Sequence, residues 1–246
     1  MLNMRKSILI VWGITFGLSL GAAALPAQPA NAADTAAHKQ TLELGNAVYY
    51  GEVKDGKPHG KGTMKWSNDK SYSGEWVAGQ RSGSGKYVNR YEKDGQWCKT
   101  VYSGSWKNDR KSGEGQLTEK RGDLQTDEVV YHLIQTGTFA KDQLSTGYTV
   151  IHAVADPDFS YNYKDSTMSV QMYGSNENLV QAWKKGNFLT IDYAKGTVVK
   201  KYSIIPEDSA AAQKKNEAAL SYLQSILAQM KPHLQTFQRL SEQVPL

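Results

Sequence analysis

The sequence predicts a mainly β chain: stacked antiparallel β-hairpins forming an elongated sheet, continued by further strands, with a C-terminal amphipathic α-helix. Three observations carry that expectation. A block reading Tyr-x-Gly, a turn, then Gly-x-Gly recurs at Tyr49, Tyr72 and Tyr102 with the same internal offsets. Between residues 131 and 205, short runs of β-branched and aromatic residues alternate with turn clusters. After Pro206 the apolar spacing changes to three and four.

The N-terminal stretch reads as an export signal. Arg5 and Lys6 precede an uncharged apolar run from Ile8 to Leu25, and Ala30-Asn31-Ala32 offers small residues where a signal peptidase cuts. Residues 1–32 are therefore expected to be a signal peptide cleaved after Ala32, which makes the product secreted or extracytoplasmic. The alternative is an uncleaved N-terminal membrane anchor. A run of that length is near the lower limit of about 17–25 residues for a spanning helix, and Gly13, Gly17 and Gly21 weaken it. Residues 33–48 read as a linker. Cys98 is the single cysteine, so no disulfide can form within the chain, although the thiol could join two chains.

The repeat block spans residues 49–118, with copies at 49–71, 72–101 and 102–124. Asp55-Gly56, Ala78-Gly79 and Asn108-Asp109 each sit between short alternating runs, as two-residue hairpin turns do. Folding each copy on its turn sets Gly51 against Gly60, Gly74 against Gly83 and Gly104 against Gly113. It likewise sets Tyr49, Tyr72 and Tyr102 against Gly62, Gly85 and Gly115. Side chains alternate faces along a strand, so ring and glycines share a side, and the ring can cover the bare backbone. A lone hairpin is marginal in water, so the copies should stack.

These residues resemble the MORN repeat, the membrane occupation and recognition nexus motif. Tyr49, Gly51, Gly56, Gly60 and Gly62 match in the first copy, with Trp66 where the motif favours an aromatic. Tyr72, Gly74, Gly79, Gly83 and Gly85 match in the second. The third has Asp109 in place of the turn glycine and follows an insertion of seven residues around Arg90–Cys98. A degenerate fourth copy is suggested at Gln135–Tyr148, where Gly137 and Phe139 fit and the later glycines do not. The resemblance, to an exported bacterial-type repeat protein, implies a scaffold or interaction role, with a membrane role proposed for the family.

Residues 119–206 read as a degenerate repeat or additional β region. Strands are expected over 149–154, 168–173 and 188–193, and Trp183-Lys184-Lys185-Gly186 echoes a hairpin turn. Residues 207–246 read as one helix: Leu220, Leu223, Leu227, Met230, Leu234 and Phe237 form a stripe, Asp208 or Ser209 caps it, and Pro232 kinks it.

Charge is uneven. Residues 49–118 carry 13 Lys/Arg against 8 Asp/Glu, whereas 119–206 carry 9 against 10. No phosphate loop, nucleophile elbow or zinc-binding helix signature is present, and the five histidines are scattered. The chain therefore reads as a binding module and not an enzyme, with no cofactor or metal. Its candidate binding residues are Tyr49, Trp66, Tyr72, Trp76, Tyr102, Trp106, Lys61, Lys65 and Lys107. The structural repeat glycines are Gly51, Gly60, Gly62, Gly74, Gly83, Gly85, Gly104, Gly113 and Gly115. The expected function is an exported interaction or scaffold module at the cell envelope, with a protein partner or anionic lipid as ligand and no nucleic acid. Rival readings are a cell-wall polysaccharide-binding module and an envelope hydrolase within residues 119–206.

Overall fold

The computed structural model describes residues 38–155, 157–174 and 177–246. The expected signal peptide or anchor lies outside the described residues. Among the described residues thirteen strands form one open sheet, each pairing antiparallel with the next in sequence. In chain order they are β1 (Lys39–Leu44), β2 (Ala47–Lys54), β3 (Lys57–Lys65), β4 (Lys70–Val77), β5 (Gln80–Lys93), β6 (Gln96–Lys107) and β7 (Arg110–Asp123). There follow β8 (Val129–Ala140), β9 (Gln143–Ala153), β10 (Phe159–Lys164), β11 (Met168–Gly174), β12 (Thr190–Lys195) and β13 (Val198–Ser203). The helices are α1 (Leu179–Lys185), α2 (Ala210–Ser225) and α3 (Leu227–Ser241). The mainly β class and the strands beyond the repeats follow the expectation. The segment expected as a linker holds β1, which pairs with β2 from Lys39 against Glu52 to Leu44 against Ala47.

The hairpin register departs from simple folding on the turn. Val53 does face Pro58, but Gly51 then faces Gly62 and Tyr49 faces Met64. Likewise Gly74 faces Gly85 and Gly104 faces Gly115. Each second strand carries two extra residues in a bulge beside the first glycine of Gly-x-Gly, and Gly60, Gly83 and Gly113 adopt φ of 55°, 57° and 71° there. Such bulges increase local twist. Because the insertion is even, it leaves ring and glycines on one side. The expected insertion around Arg90–Cys98 is not a loop. It extends the β5–β6 ladder to Lys93 against Gln96 around an Asp94-Gly95 turn.

The registers link end to end into a row of glycines crossing eight strands: Gly51, Gly62, Gly74, Gly85, Gly104, Gly115, Gly137 and Gly147. The hairpin geometry therefore continues through β8 and β9. Gly147 had no place in the sequence pattern because it follows Gly137 by ten residues, where the other copies separate these glycines by eleven.

Burial changes sides along the sheet. In the repeats the apolar side carries Tyr49, Tyr72, Trp76, Tyr102, Trp106 and Phe139. Beyond β8 the opposite side is apolar, and the cross-strand row Ile134, Val150, Tyr161, Met172, Ile191 and Tyr202 is buried with the helices. Strand β8 serves both clusters, giving Phe139 to one and Ile134 to the other.

The C-terminal expectations need two corrections. Residues 207–246 form two helices, not one: Ser209 caps α2 through Ala212 N, and the break falls at Ile226. Pro232 sits inside α3. Its ring crowds the carbonyl four residues earlier, so distortion belongs to the turn before it. The Trp183–Gly186 echo is a helix end: Asn178 caps α1, and Gly186 closes it with φ of 72°. Leu179, Ala182 and Trp183, spaced by three and four, are its buried face.

Candidate functional site

The repeat tyrosines lie over the glycine row. A Cβ at Gly62, Gly85 or Gly115 would overlap the ring of Tyr49, Tyr72 or Tyr102. Each hydroxyl donates to the carbonyl three residues ahead, at Glu52 (2.7 Å), Glu75 (3.1 Å) and Ser105 (3.1 Å). The tryptophans bridge copies: Trp76 Nε1 donates to Gly62 O at 3.1 Å and Trp106 Nε1 to Gly85 O at 3.2 Å. Rings therefore alternate edge to face as Tyr49, Trp76, Tyr72, Trp106, Tyr102 and Phe139, with centroids 5.0–5.5 Å apart. This geometry suits the aromatic quadrupole. Burial pushes the Tyr72 and Tyr102 phenols up to about 12, so both stay neutral hydrogen-bond donors.

Hairpin tips clasp their neighbours over these rings. Gly79 N donates to Pro58 O, Asp109 N to Arg81 O and Asp142 N to Lys111 O, at 2.9, 3.1 and 3.1 Å. The two aspartates also accept in return. Asp109 Oδ1 takes the backbone N–H and Nε–H of Arg81, each at 3.0 Å, and Asp142 Oδ1 takes Lys111 N–H at 2.8 Å. The Arg81 guanidinium then rests 4.3 Å from the Trp106 ring centre, and Lys111 lies over Tyr102 and Phe139. Burial lowers the pKa of Lys111. Asp109 departs from the glycine of the motif and uses its carboxylate for the clasp.

The opposite side of the repeat sheet is open. Register places Thr63, Ser73, Lys86, Ser103 and Gln116 in one cross-strand row on that side. Lys61 and Lys65 flank Thr63 on β3, and Lys99 and Lys107 flank Ser103 on β6. All five of these lysines are exposed. Among the charges exposed on the same side are Glu75 and Glu114. A depression of about 500 Å³ lies here, lined by Lys39, Tyr50, Lys61, Thr63, Ser73 and Glu75, above the bare glycine row.

The expected binding residues are thereby divided. Tyr49, Tyr72 and Tyr102 have no exposure, and Trp76 and Trp106 are buried, so these five hold the sheet together. Trp66 is half-buried just past the end of β3, with Lys70 Nζ 5.4 Å from its ring centre. Lys61, Lys65 and Lys107 stand on the other side. The expected basic, aromatic-lined face is two faces, one built of rings and one bearing lysines. Alternation alone could have separated them, since on β3 Lys61 and Lys65 share parity with Thr63, whereas the glycines share it with Met64.

Other candidate positions are structural. His132 and His152 face each other across β8 and β9, and their Nδ1 atoms lie 3.0 and 2.8 Å from Pro245 O and Val244 O. Each ring nitrogen must donate, so the pair pins the C-terminal tail. Tyr148 meets His233 at 2.9 Å and Tyr163 meets Asp165 at 2.7 Å, where β9 and β10 support α3. Burial raises Tyr163 to about 12 and lowers His233, leaving the imidazole neutral near pH 7. Cys98 is buried, which withholds its thiol from a second chain. A polar hollow of about 730 Å³ lies on the ring side of β8–β13, over Gln135, Thr149, Asn162, Gln171 and Asp192. Among the described residues no three His, Cys, Asp or Glu side chains form a metal site, and no helix is long and apolar enough to cross a membrane.

The family model described as MORN repeat matches residues 49–70, 72–89 and 102–122. The chain is 47% identical over 68 residues to MORN repeat-containing protein 3 of Xenopus laevis, covering 27% of this chain and 28% of that protein. It is 35% identical over 81 residues to human Alsin, and 33% identical to rat Alsin, covering 33% of this chain and 5% of Alsin in both cases. The chain thus spans less than a third of the length of the first relative and a twentieth of the length of Alsin. Sequence offsets, ring ladder and family model agree: residues 49–70, 72–89 and 102–122 are three MORN repeats.

Proposed function

We propose that this chain is an exported, non-catalytic interaction module of the cell envelope, and that it meets an anionic membrane surface with the lysine face of its repeats. One observation carries the reading. The repeat rings are consumed in holding the hairpins together, while Lys61, Lys65, Lys86, Lys99 and Lys107 stay exposed on the opposite repeat face, where a large partner can meet them. Such an extended positive surface suits an extended negative one, at about 1 kcal/mol per basic residue near anionic lipid. The polysaccharide reading built on Trp76 and Trp106 loses its support, because rings at 2% and 5% exposure have no face to offer a sugar.

Co-sedimentation with vesicles tests the proposal. Phosphatidylglycerol vesicles should retain the protein at low salt and release it as salt rises, while phosphatidylcholine vesicles should not retain it. Equal retention by both, or none by either, contradicts it. Retention by an acidic protein partner alone would move the role from lipid to protein. Export is tested separately by sequencing the N-terminus of protein recovered from its native cells, which should begin at Ala33.

A further inference from the structure

The two edges of the sheet are treated differently. At the β13 edge, Asn216 of α2 accepts from Ser203 N at 2.8 Å and donates to Ser203 O at 2.9 Å, so a side chain stands in for a neighbouring strand. That agrees with the Gly196-Thr197 turn. Counting from the hydrogen-bonded Lys195–Val198 pair, residues 199, 201 and 203 point their backbone groups outward. The same count from the Gly45-Asn46 turn makes Leu44–Ala47, Leu42–Tyr49 and Gln40–Gly51 the bonded pairs of the first hairpin. Lys39, Thr41 and Glu43 therefore aim their N–H and C=O groups away from the sheet. All three are exposed, β1 has no proline or bulge, and no described hydrogen bond reaches this edge. Unprotected edges pair with other strands.

We infer that β1 is a self-association edge, pairing antiparallel with β1 of a second copy about a two-fold axis through Thr41. The sequence selects this register over its neighbours. Only residues with outward groups can bond, so the axis must lie at or midway between odd-numbered positions. An axis at Lys39 opposes two lysines, one at Glu43 opposes two glutamates, and one midway, at Gln40 or Leu42, leaves only two bonded pairs within β1 and no opposite charges together. An axis at Thr41 sets Lys39 against Glu43 twice and Thr41 against itself, and its three bonded pairs exchange six hydrogen bonds. Directly opposed residues share a face, so the lysine sides of both copies become continuous.

An edge of six residues makes a small interface, so association is expected at tens of micromolar, within the weak range for small contacts. Sedimentation velocity of protein purified from cells expressing the full chain should show a dimer forming across that range. Glu43→Lys opposes lysine to lysine and should shift dimerisation at least tenfold to higher concentration. Lys39→Glu/Glu43→Lys restores opposite pairing and should restore the dimer. Thr41→Pro removes an outward N–H and leaves the β1–β2 bonds in place, so it should abolish the dimer with an unchanged thermal midpoint. A wild type that stays monomeric at 200 micromolar, or a dimer indifferent to Glu43→Lys, overturns the inference.

Discussion

A tyrosine ring laid on bare backbone is the smallest unit of this fold. Tyr72 donates to Glu75 O and fills the space where a Cβ of Gly85 would sit. Gly85→Ala must push the ring away, and it is expected to cost about 1–3 kcal/mol, as overpacking does. Tyr72→Phe removes only the hydrogen bond, for about 1 kcal/mol. Urea unfolding measures both, and the glycine variant should be the weaker of the two. Tyr-x-Gly and Gly-x-Gly were legible because each requirement is local. Gly147 was not, because the one-residue shift between Thr138 and Phe139 changes its offset.

Histidine supplies a pH signature at the same scale. Burial lowers the pKa of His132 below 6.5, with Lys120 and His152 opposite it adding to the shift and the Pro245 carbonyl opposing it. The Nε2 atom is buried with no partner, so a second proton has no acceptor there. Below pH 6.5 the unfolded chain binds more protons than the folded one, so stability rises with pH through this window and falls on acidification. His233 shifts the same way. The thermal midpoint should therefore drop between pH 7 and 5, and His132→Asn should flatten part of that slope.

Among the elements, the hairpin tips clasp each repeat to the next. Asp109 stands where the repeat has glycine at a φ of 64°, a conformation glycine adopts more easily. Its return is the bond from its carboxylate to Arg81, which holds a guanidinium over Trp106. Asp109→Gly restores the motif and relaxes the backbone, yet it is expected to lower stability by about 1 kcal/mol or more by releasing Arg81. A variant as stable as the wild type would show that the clasp contributes nothing. Hairpin turns were readable from Asp-Gly and Asn-Asp, but the two-residue bulges were not, because counting back from a turn assumes one residue opposite one. Helix α1 was missed for a similar reason: seven residues ending in Lys-Lys-Gly resemble a turn until Leu179, Ala182 and Trp183 are seen packing together.

At the scale of the molecule, the apolar side of the sheet changes over at β8. Period-two alternation was legible along most strands, and it fixes which residues share a side of one strand. It says nothing about which side the next strand buries. The row holding Tyr49, Tyr72, Tyr87 and Tyr102 runs on into Leu117, Gln135, Thr149 and Asn162, while burial moves to the row through Ile134 and Val150. The change lets one end of the sheet seal itself with rings and the other with helices. Charge bias in the repeats was also legible, but its separation from the rings required the register.

Removing charge from one face without disturbing the other is the most direct test of this division. Lys61, Lys65, Lys86, Lys99 and Lys107 replaced together by Gln should leave the thermal midpoint within a few degrees of wild type. Binding to phosphatidylglycerol vesicles should fall by three orders of magnitude or more, at about 1 kcal/mol per lysine. Trp106→Phe should do the reverse, lowering the midpoint and keeping the vesicle affinity. Full vesicle binding by the lysine-free variant, or its loss in Trp106→Phe while the protein is still folded, would contradict the account.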